Sequence, residues 1–308
     1  MKKRTLALLM AAMMSLSLAA CGGDTTSQTT DAPASASPAV EIPAVPDLTG
    51  IDTSAIPGVE DGVLTVGMEC AYAPYNWTQM DDSNGAVPIV NNPGSYANGY
   101  DVKMAQRICD AYGWDLEVMA ISWDGLIPAL NAGTIDAVIA GQSMTDERLQ
   151  EVDMAGPYFY ASIVCVTKKD SELASATGIS QLSGTCTAQT GTVWYNSCLP
   201  QIEGAEIMPE SETAPAMIMA VESGTVDFIC TDIPTAMGAC ATYDDLTILD
   251  FTGSDDNFEV DQGEINIGIS VAKGNTALKD AMDAALEGLT AEHFNAIMDQ
   301  AIAIQPAV

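Results

Sequence analysis

The sequence predicts an α/β protein with two lobes. Short apolar stretches with the length of β-strands alternate with segments whose apolar residues recur at helical spacing, which is typical of largely parallel sheets. This alternation starts near residue 61 and begins again near residue 184. The chain has 308 residues, a length that suits two compact lobes. Two similar units of this kind predict a cleft between them.

The first unit is predicted from its apolar periodicity and its turn residues. Its elements are, in order, a strand at 63–67, a loop rich in Asn, Asp, Gly and Pro that runs to 98, a helix at 100–112, a strand at 116–121, a helix at 123–132, a strand at 135–140 and a short helix at 145–150. The helix at 100–112 is the clearest, because Val102, Ala105 and Ile108 share one face and Gly113 ends the pattern. Asp101 is interpreted as a cap at the start of this helix.

The second unit repeats the alternation of strand and helix. Its elements are a strand at 184–189, a helix at 193–199, a strand at 206–208, a helix at 214–223, a strand at 226–230 and a helix at 233–241. Two apolar extended stretches, 163–166 and 265–271, are predicted to be the crossovers between the lobes. The helical C-terminal segment 276–304 is expected to return to the first lobe.

The N-terminus has the pattern of an exported lipoprotein. Basic residues precede an apolar run that ends at Leu18-Ala-Ala-Cys21, which resembles the bacterial lipobox and implies lipidation of Cys21. Residues 1–20 are then a signal peptide, and 21–60 are the lipidated cysteine and a flexible tether with few large apolar side chains. Lobe 1 is predicted to comprise 61–166 and 271–308, and lobe 2 to comprise 167–270.

Composition excludes several classes of function. The chain has 42 acidic and 10 basic residues and a formal charge of −32, so it lacks the basic surface that binds nucleic acid. Its 48% hydrophobic content supports a folded core. The single histidine, His293, argues against a His-rich zinc site or a Ser-His-Asp triad. No metal or cofactor is therefore expected.

The eight cysteines leave the question of disulfides open. Export suggests disulfides, but lipidation of Cys21 would leave an odd number, and no Cys-x-x-Cys motif occurs. Cys186 and Cys198 are the nearest pair in the second lobe. Buried free thiols are the alternative, so no pairing is predicted.

Polar residues that follow the predicted strands suit a small zwitterion. Ligands of open α/β sheets bind beyond the carboxyl ends of the strands. Arg148 can hold a carboxylate as a two-point fork, and Asp232 can hold an ammonium group. Ser143 and the backbone amides near Thr192 add donors. In the alternative interpretation, Arg148 is a surface residue of a short helix and Asp232 only caps the next helix. Arg107, on the flank of its helix, is expected to be an ordinary solvated charge.

An ordered series of motifs resembles a known family. The motifs are Glu69-Cys-Ala-Tyr72-Ala-Pro-Tyr75, Gly99-Tyr-Asp-Val102, Ser122-Trp-Asp-Gly-Leu-Ile-Pro-Ala-Leu130, Ala140-Gly-Gln-Ser-Met-Thr145 with Arg148, Asp153-Met-Ala-Gly-Pro-Tyr158 and Gln189-Thr-Gly-Thr192. Together they resemble the family 3 solute-binding proteins of ABC importers, over about residues 61–308. The resemblance implies a periplasmic-binding-protein-like type II fold, in which two crossover strands join two α/β lobes around a ligand cleft.

The resemblance also implies roles for individual residues. It assigns the ligand α-carboxylate to Arg148, Ser143 and the backbone amides of Thr192 and Val193. It assigns the α-ammonium to Asp232 and the carbonyl group of Gly141. Tyr72 and Trp123 would sandwich the ligand side chain, with core packing as the alternative for both rings. Glu69 would lie near the end of that side chain. The loop at 76–98 is longer than in the simplest members, so the positions of Trp77 and Tyr96 stay open.

The function implied is that of a lipid-anchored, monomeric receptor on the outer face of the cell membrane. It would bind a free amino acid, close around it by a hinge motion and deliver it to an ABC permease without chemical conversion. Glu69 and two aromatic rings favour a cationic or polar side chain: lysine, arginine, ornithine or histidine first, then glutamine. An exported dehydratase with the same fold is the alternative, and an amino-acid sensing module is a third possibility.

Overall fold

The structure is a computed structural model that describes residues 40–306. Its strands are β1 (Val63–Met68), β2 (Ala71–Tyr72), β3 (Asn76–Gln79), β4 (Val87–Pro88), β5 (Tyr96–Asn98), β6 (Asp115–Ala120), β7 (Ala137–Val138), β8 (Val152–Phe159), β9 (Ile163–Lys168), β10 (Ser183–Thr187), β11 (Gly204–Ile207), β12 (Phe228–Asp232), β13 (Leu246–Leu249) and β14 (Ile267–Ala272). Its helices are α1 (Tyr100–Tyr112), α2 (Leu126–Asn131), α3 (Arg148–Glu151), α4 (Ala214–Glu222), α5 (Ile233–Thr242), α6 (Gln262–Ile265), α7 (Thr276–Leu286) and α8 (Ala291–Ile304). Shorter turns of 3₁₀ helix include Trp123–Gly125, and Trp194–Cys198 forms a π-helical turn.

Two five-stranded sheets of the same design form the framework. The first has the order β6-β1-β7-β14-β8, and the second has the order β11-β10-β12-β9-β13. In each, three parallel strands are followed by one strand that runs antiparallel to them, β14 in the first sheet and β9 in the second. The fifth strand, β8 or β13, pairs antiparallel with that strand and therefore has the direction of the first three. The predicted fold, with two α/β lobes of the periplasmic-binding-protein-like type II, is confirmed.

The helix predicted at 100–112 forms with the predicted bounds. Its apolar face is buried against the first sheet, where Val102, Ala105 and Ile108 have no exposed surface. Gly113 ends it with a left-handed backbone (φ 75°), and its N–H donates to the carbonyl group of Cys109 at 2.8 Å. Both the apolar spacing and the terminating glycine are local signals, which is why the sequence predicts this helix so well.

The segment predicted as a loop at 76–98 instead forms most of a third sheet. Four short antiparallel strands pair in the order β2-β3-β5-β4. Trp77, whose position the sequence left open, lies in β3 with only 3% of its surface exposed. Strands of two to four residues are too short to show a period, and the turn residues between them dominate the composition.

The two predicted crossovers are strands within the sheets, so that prediction is wrong. Residues 163–166, which were predicted for lobe 1, belong to β9 and pair with β12 and β13 in the second sheet. Residues 267–270, which were predicted for lobe 2, belong to β14 in the first sheet. The chain passes between the sheets at 160–162 and at 250–266. An apolar extended stretch suits a crossover or a sheet strand equally well, and only its pairing partner decides.

The segment 40–60 is not a free tether. Nη1 and Nη2 of Arg107 donate to the carbonyl groups of Pro43 and Ala44 at 2.9 and 3.0 Å. The N–H of Leu48 donates to the carbonyl group of Ala111 at 2.8 Å, and Asn275 Nδ2 donates to the carbonyl group of Pro57 at 2.8 Å. We call residues 40–60 the N-terminal strap. These hydrogen bonds use backbone groups of the strap, which composition does not reveal.

Arg107 is therefore a buried structural residue, which corrects the expectation of a solvated charge. Only 8% of its surface is exposed, and burial lowers its pKa. The predictions of a signal peptide, of a lipidated Cys21 and of a tether up to residue 39 concern residues outside the described ones. Between residues 40 and 306, no helix combines the length and the apolarity needed to cross a bilayer. Cys186 and Cys198 are free, buried thiols.

Candidate ligand-binding site

The predicted site residues follow strands of both large sheets. Glu69 follows β1, and Gly141 and Ser143 follow β7 in the first sheet. Thr192 follows β10, and Asp232 ends β12 in the second sheet. All five lie at the carboxyl ends of strands, where open α/β sheets bind ligands. Side chains from the two sheets meet here.

Asp232 is a fully buried carboxylate that joins the two lobes. Tyr72 donates its phenolic hydrogen to Asp232 Oδ2 at 3.0 Å, and the N–H of Thr235 donates to Oδ1 at 2.8 Å. The second bond caps α5, which confirms the alternative interpretation of Asp232 as a helix cap. Burial raises the pKa of Asp232, whereas these hydrogen bonds lower it. Among the described residues, no cationic side chain lies within ion-pair distance of this carboxylate.

Tyr72 and Tyr75 line the same part of the site. Their rings stack with centroids 5.0 Å apart and an angle of 26° between planes. The hydroxyl group of Tyr75 favours the charged form of Asp232 but makes no hydrogen bond of good geometry. Polar groups therefore surround a buried anion that has no protein cation as its partner.

The backbone conformation and the surroundings of Gly141 require a glycine at this position of the cluster. It has a left-handed conformation (φ 65°), and a Cβ atom here would lie 2.8 Å from Cε1 of Tyr72. Its N–H donates to the hydroxyl oxygen of Tyr158 at 3.0 Å. Only glycine combines this backbone with this close approach.

Arg148 presents an unpaired guanidinium group at the second part of the site. Nη1 donates to the carbonyl group of Ser143, and Cζ lies 5.8 Å from the ring centroid of Trp123. Burial lowers the pKa of Arg148 to about 10, and the neighbouring acids Glu147 and Glu151 raise it. The ion pairs of the described residues do not include Arg148. It remains fully charged at neutral pH, partly desolvated and free to take an anion.

A cavity of about 350 Å³ opens beside this guanidinium group. Its lining includes Arg148, Gly191, Thr192 and Val193, so the turn after β10 faces the arginine. Thr192 and Val193 are 9% and 5% exposed, and Val193 immediately precedes the π-helical turn. Backbone N–H groups at such a start are donors for an anion.

Glu69 reaches across to the second sheet. Gln189 Nε2 donates to Glu69 Oε2 at 3.2 Å, and the carbonyl group of Gln189 accepts from Thr192 Oγ1 at 2.7 Å. Burial raises the pKa of Glu69 to about 7, the bond from Gln189 lowers it, and the charge of Asp124 raises it. Sequence reasoning missed this role of Gln189, although the residue stands in the motif Gln189-Thr-Gly-Thr192.

The predicted residues thus fall into two connected groups. Tyr72, Gly141 and Asp232 form a buried cluster. Arg148, Thr192 and Val193 line the cavity, and Trp123 lies beside the Arg148 guanidinium. Ser143 bonds to Arg148, and Glu69 bonds to Gln189. The two rings expected to sandwich a side chain are in different groups: Tyr72 stacks on Tyr75, and Trp123 lies against the Arg148 guanidinium. Residues 40–306 hold no cluster of His, Cys, Asp and Glu suited to a metal ion.

The interpretation of Asp101 as a helix cap is wrong. Gly99 precedes α1, and no side chain caps it. The carboxylate of Asp101 is buried instead, where it accepts hydrogen bonds from Tyr158 and Asn76. A carboxylate that opens a helix is normally a cap, and only the folded chain shows the tyrosine that turns it inward.

Several curated proteins resemble this chain along most of its length. The probable histidine-binding protein of Neisseria gonorrhoeae is 28% identical over 246 residues, which cover 76% of this chain and 81% of that protein. The L-cystine-binding protein TcyJ of Escherichia coli K12 is 25% identical over 227 residues, covering 74% and 77%. The arginine-binding periplasmic protein of Mannheimia haemolytica is 26% identical over 220 residues, covering 71% and 82%.

Solved structures show the same fold. The substrate-binding protein of an amino acid ABC transporter superimposes with a TM-score of 0.61 at 26% identity, covering 77% of this chain and 98% of that one. The ancestral amino acid-binding protein AncCDT-1, a precursor of cyclohexadienyl dehydratase, gives a TM-score of 0.63 at 24% identity, covering 79% and 96%. The second likeness shows the fold alone.

The family itself is shown by a model that spans most of the chain. The model of the bacterial extracellular solute-binding proteins, family 3, matches residues 64–302, which include both large sheets and every described site residue. This match confirms the resemblance carried by the sequence motifs. The chain belongs to the bacterial extracellular solute-binding proteins of family 3.

Proposed function

We propose that this protein binds a free amino acid between its two lobes and delivers it to an ABC permease without converting it. The observation that carries the proposal is a pair of unpartnered, opposite charges at the strand ends. Arg148 belongs to the first lobe and Asp232 to the second, and neither has an ion-pair partner among the described residues. An amino acid supplies a carboxylate for one and an ammonium group for the other.

The α-carboxylate binds at Arg148. A planar guanidinium group takes a carboxylate through two parallel hydrogen bonds. The cavity beside it gives space for this group, and Thr192 and Val193, whose backbone amides are the further donors of the proposal, line the same cavity. Ser143 adds its hydroxyl group from the loop whose carbonyl group already holds Arg148.

The α-ammonium group binds at Asp232 and at the carbonyl group of Gly141. A buried carboxylate without a cationic partner is costly, and an ammonium group offsets that cost. The pKa of Asp232 is raised by burial, so a bound cation that stabilises its charged form gains from the pairing.

The ligand side chain lies among Glu69, Tyr72 and Trp123. Burial raises the pKa of Glu69 to about 7, and its one hydrogen bond comes from a neutral amide. A cationic side chain would stabilise its charged form, and aromatic faces attract cations. Lysine, arginine, ornithine and histidine therefore come first and glutamine second. The names of the relatives, which include histidine- and arginine-binding proteins, support this order.

Binding is coupled to closure of the lobes. The bond from Tyr72 to Asp232 and the bond from Gln189 to Glu69 join residues of the two lobes in the closed arrangement. A ligand that bridges Arg148 and Asp232 makes its full set of contacts only there. This difference in affinity between open and closed forms selects the closed form, which the permease then recognises.

The protein acts as a monomer on the outer face of the cell membrane, anchored through lipid on Cys21. After removal of the predicted signal peptide 1–20, Cys21 and the residues up to 39 would connect the lipid to the N-terminal strap, which packs against the first lobe. Mass spectrometry of the membrane-associated protein tests the anchor. An acylated N-terminal Cys21 is expected, and a mature N-terminus elsewhere would overturn this part of the proposal.

A thermal-shift screen over all standard amino acids tests the function. Stabilisation by one amino acid, which chromatography then recovers unchanged, is expected. Conversion of the added amino acid would favour an enzyme, the alternative that the fold also allows. Loss of uptake of that amino acid on deletion of the protein separates delivery to a permease from a sensing role.

A further inference from the structure

Asp101, in the first turn of α1, is a fully buried carboxylate that is linked to two loops of the site through the side chains of Tyr158 and Asn76. Tyr158 donates its phenolic hydrogen to Oδ1 at 2.7 Å, and Asn76 Nδ2 donates to Oδ2 at 2.7 Å. No ion pair of the described residues includes Asp101. A buried charge without a cationic partner has a large desolvation cost, so its position calls for an explanation.

The hydrogen bond from Tyr158 connects Asp101 to the proposed ammonium subsite. The hydroxyl oxygen of Tyr158 accepts the N–H of Gly141 at 3.0 Å while its hydrogen points to Asp101. This bond anchors the backbone of Gly141 through its N–H, directly before the carbonyl group that is assigned to the ligand ammonium. Asp101 thereby determines which way Tyr158 donates.

The hydrogen bond from Asn76 connects Asp101 to the loop between Glu69 and Tyr72. Asn76 Oδ1 accepts the N–H of Cys70 at 2.7 Å while its amide hydrogens point to Asp101. Cys70 has a left-handed backbone (φ 55°), which a non-glycine residue adopts only when its surroundings hold it there. Asp101 thereby orients the amide that stabilises this turn.

We propose that Asp101 is a positioning residue that holds the Glu69–Tyr72 loop and the Gly141 loop in the geometry that binds a ligand ammonium group. The inference rests on the proposed function, and it adds a residue that touches no ligand. Both chains of hydrogen bonds require Asp101 to accept at both oxygens. A protonated carboxyl group has to donate from one oxygen, so it reverses or breaks one of the two chains.

The charges around Asp101 couple it to the ligand. The groups that face it are the side chains of Cys70, Tyr72, Tyr75, Tyr100, Tyr158 and Asp232. None of them is cationic. Burial and the charge of Asp232 raise the pKa of Asp101 to about 7, against hydrogen bonds from Tyr158 and Asn76 that lower it. An ammonium group at Asp232 cancels part of that repulsion, so it favours the charged form of Asp101.

The sign of the pH dependence follows from this coupling. Binding of an ammonium group releases a proton from Asp101, so affinity falls as the pH falls through about 7. Asp101 has a pKa of about 7 in the protein without ligand and is fully ionised in the complex. The affinity for the ligand is therefore about tenfold lower at pH 6 than at pH 8. Stability without ligand changes the other way. The folded form holds the proton more tightly than the unfolded chain, so stability is lost as the pH rises through about 7.

The test compares three variants of the mature chain by calorimetry with L-arginine, whose guanidinium group stays charged over this range. Asp101→Asn keeps the shape but accepts at one oxygen, Tyr158→Phe cuts only the Gly141 chain, and Asp110→Asn removes an exposed acid from the same helix. The three variants and the reference protein all carry Glu69→Gln as well, so that Glu69 does not contribute to the dependence of affinity on pH. We expect Asp101→Asn to weaken binding about tenfold at pH 8 and to flatten the profile.

The other two variants test whether the loss of affinity is specific to Asp101. Tyr158→Phe is expected to weaken binding less than Asp101→Asn, and Asp110→Asn is expected to match the reference. A profile of Asp101→Asn as steep as the reference profile would overturn the proposal. If L-arginine binds none of these proteins, denaturant unfolding without ligand still tests Asp101. Asp101→Asn must then reduce the loss of stability between pH 6 and pH 8, and an unchanged loss would overturn the proposal independently of the function.

Discussion

The two arginines of the described chain should respond in opposite ways to truncation. Arg148 has a partly desolvated guanidinium group that carries no ion pair, so Arg148→Ala removes a charge that contributes little to folding. Truncating one partner of a close charge pair costs about 2–4 kcal/mol of binding, or roughly 30- to 1000-fold in Kd. We therefore expect Arg148→Ala to lose most amino-acid affinity in calorimetry while its Tm without ligand stays within about 2 °C of wild type or rises.

Arg107→Ala is the matched control. It removes two hydrogen bonds of 2.9 and 3.0 Å that hold the N-terminal strap, and it leaves the carbonyl groups of Pro43 and Ala44 without these donors. A loss of about 1–3 kcal/mol of unfolding free energy is expected, with an unchanged Kd. Undiminished affinity in Arg148→Ala would refute the reasoning, as would equal losses of affinity in both variants.

Three further substitutions probe other contacts of the site. Tyr72→Phe removes the 3.0 Å bond to Asp232 between the lobes, so Kd should rise about tenfold by calorimetry, and an unchanged Kd would argue against closure through this bond. Gly141→Ala places a Cβ atom 2.8 Å from the ring of Tyr72 at a left-handed backbone, so denaturant unfolding should show a loss of about 1–3 kcal/mol. The pKa of Glu69 is raised to about 7, so stability is lost as the pH rises through that value. Glu69→Gln should reduce the loss of stability between pH 6 and pH 8. An equal loss in both proteins would contradict the raised pKa of Glu69.

Local patterns predicted the framework well. The helix Tyr100–Tyr112 follows from apolar spacing and a terminating glycine, both of which lie within the segment itself. Arg148 and Asp232 are predicted as candidate site residues because residues beyond parallel strands converge at one edge of a sheet, whatever the details of packing. The family motifs then assigned roles that composition alone does not indicate.

Long-range contacts account for what the sequence did not reveal. Arg107 was expected to be solvated because its partners are backbone carbonyl groups more than 60 residues away. The strap was expected to be flexible for the same reason, since its few apolar side chains say nothing about those carbonyl groups. Strand β9 was assigned to the wrong lobe because its partners, β12 and β13, lie far along the chain.

Asp101 and Gln189 show a second limit. Each stood in a motif that the sequence singled out, yet Asp101 was interpreted as a cap and Gln189 received no role. The orientation of a buried side chain depends on donors from several elements: Tyr158 and Asn76 for the first, and Glu69 for the second. Sequence spacing places such residues near a site but does not determine the direction of their hydrogen bonds.

The central claim is that Arg148 and Asp232 hold the two charged groups of one amino acid. A crystal structure of the protein with the amino acid that stabilises it most tests this claim directly. We predict that the α-carboxylate makes two hydrogen bonds to the guanidinium group of Arg148 and that the α-ammonium group lies within hydrogen-bond distance of Asp232. An amino acid bound in the reverse orientation, or bound away from both residues, would contradict the claim.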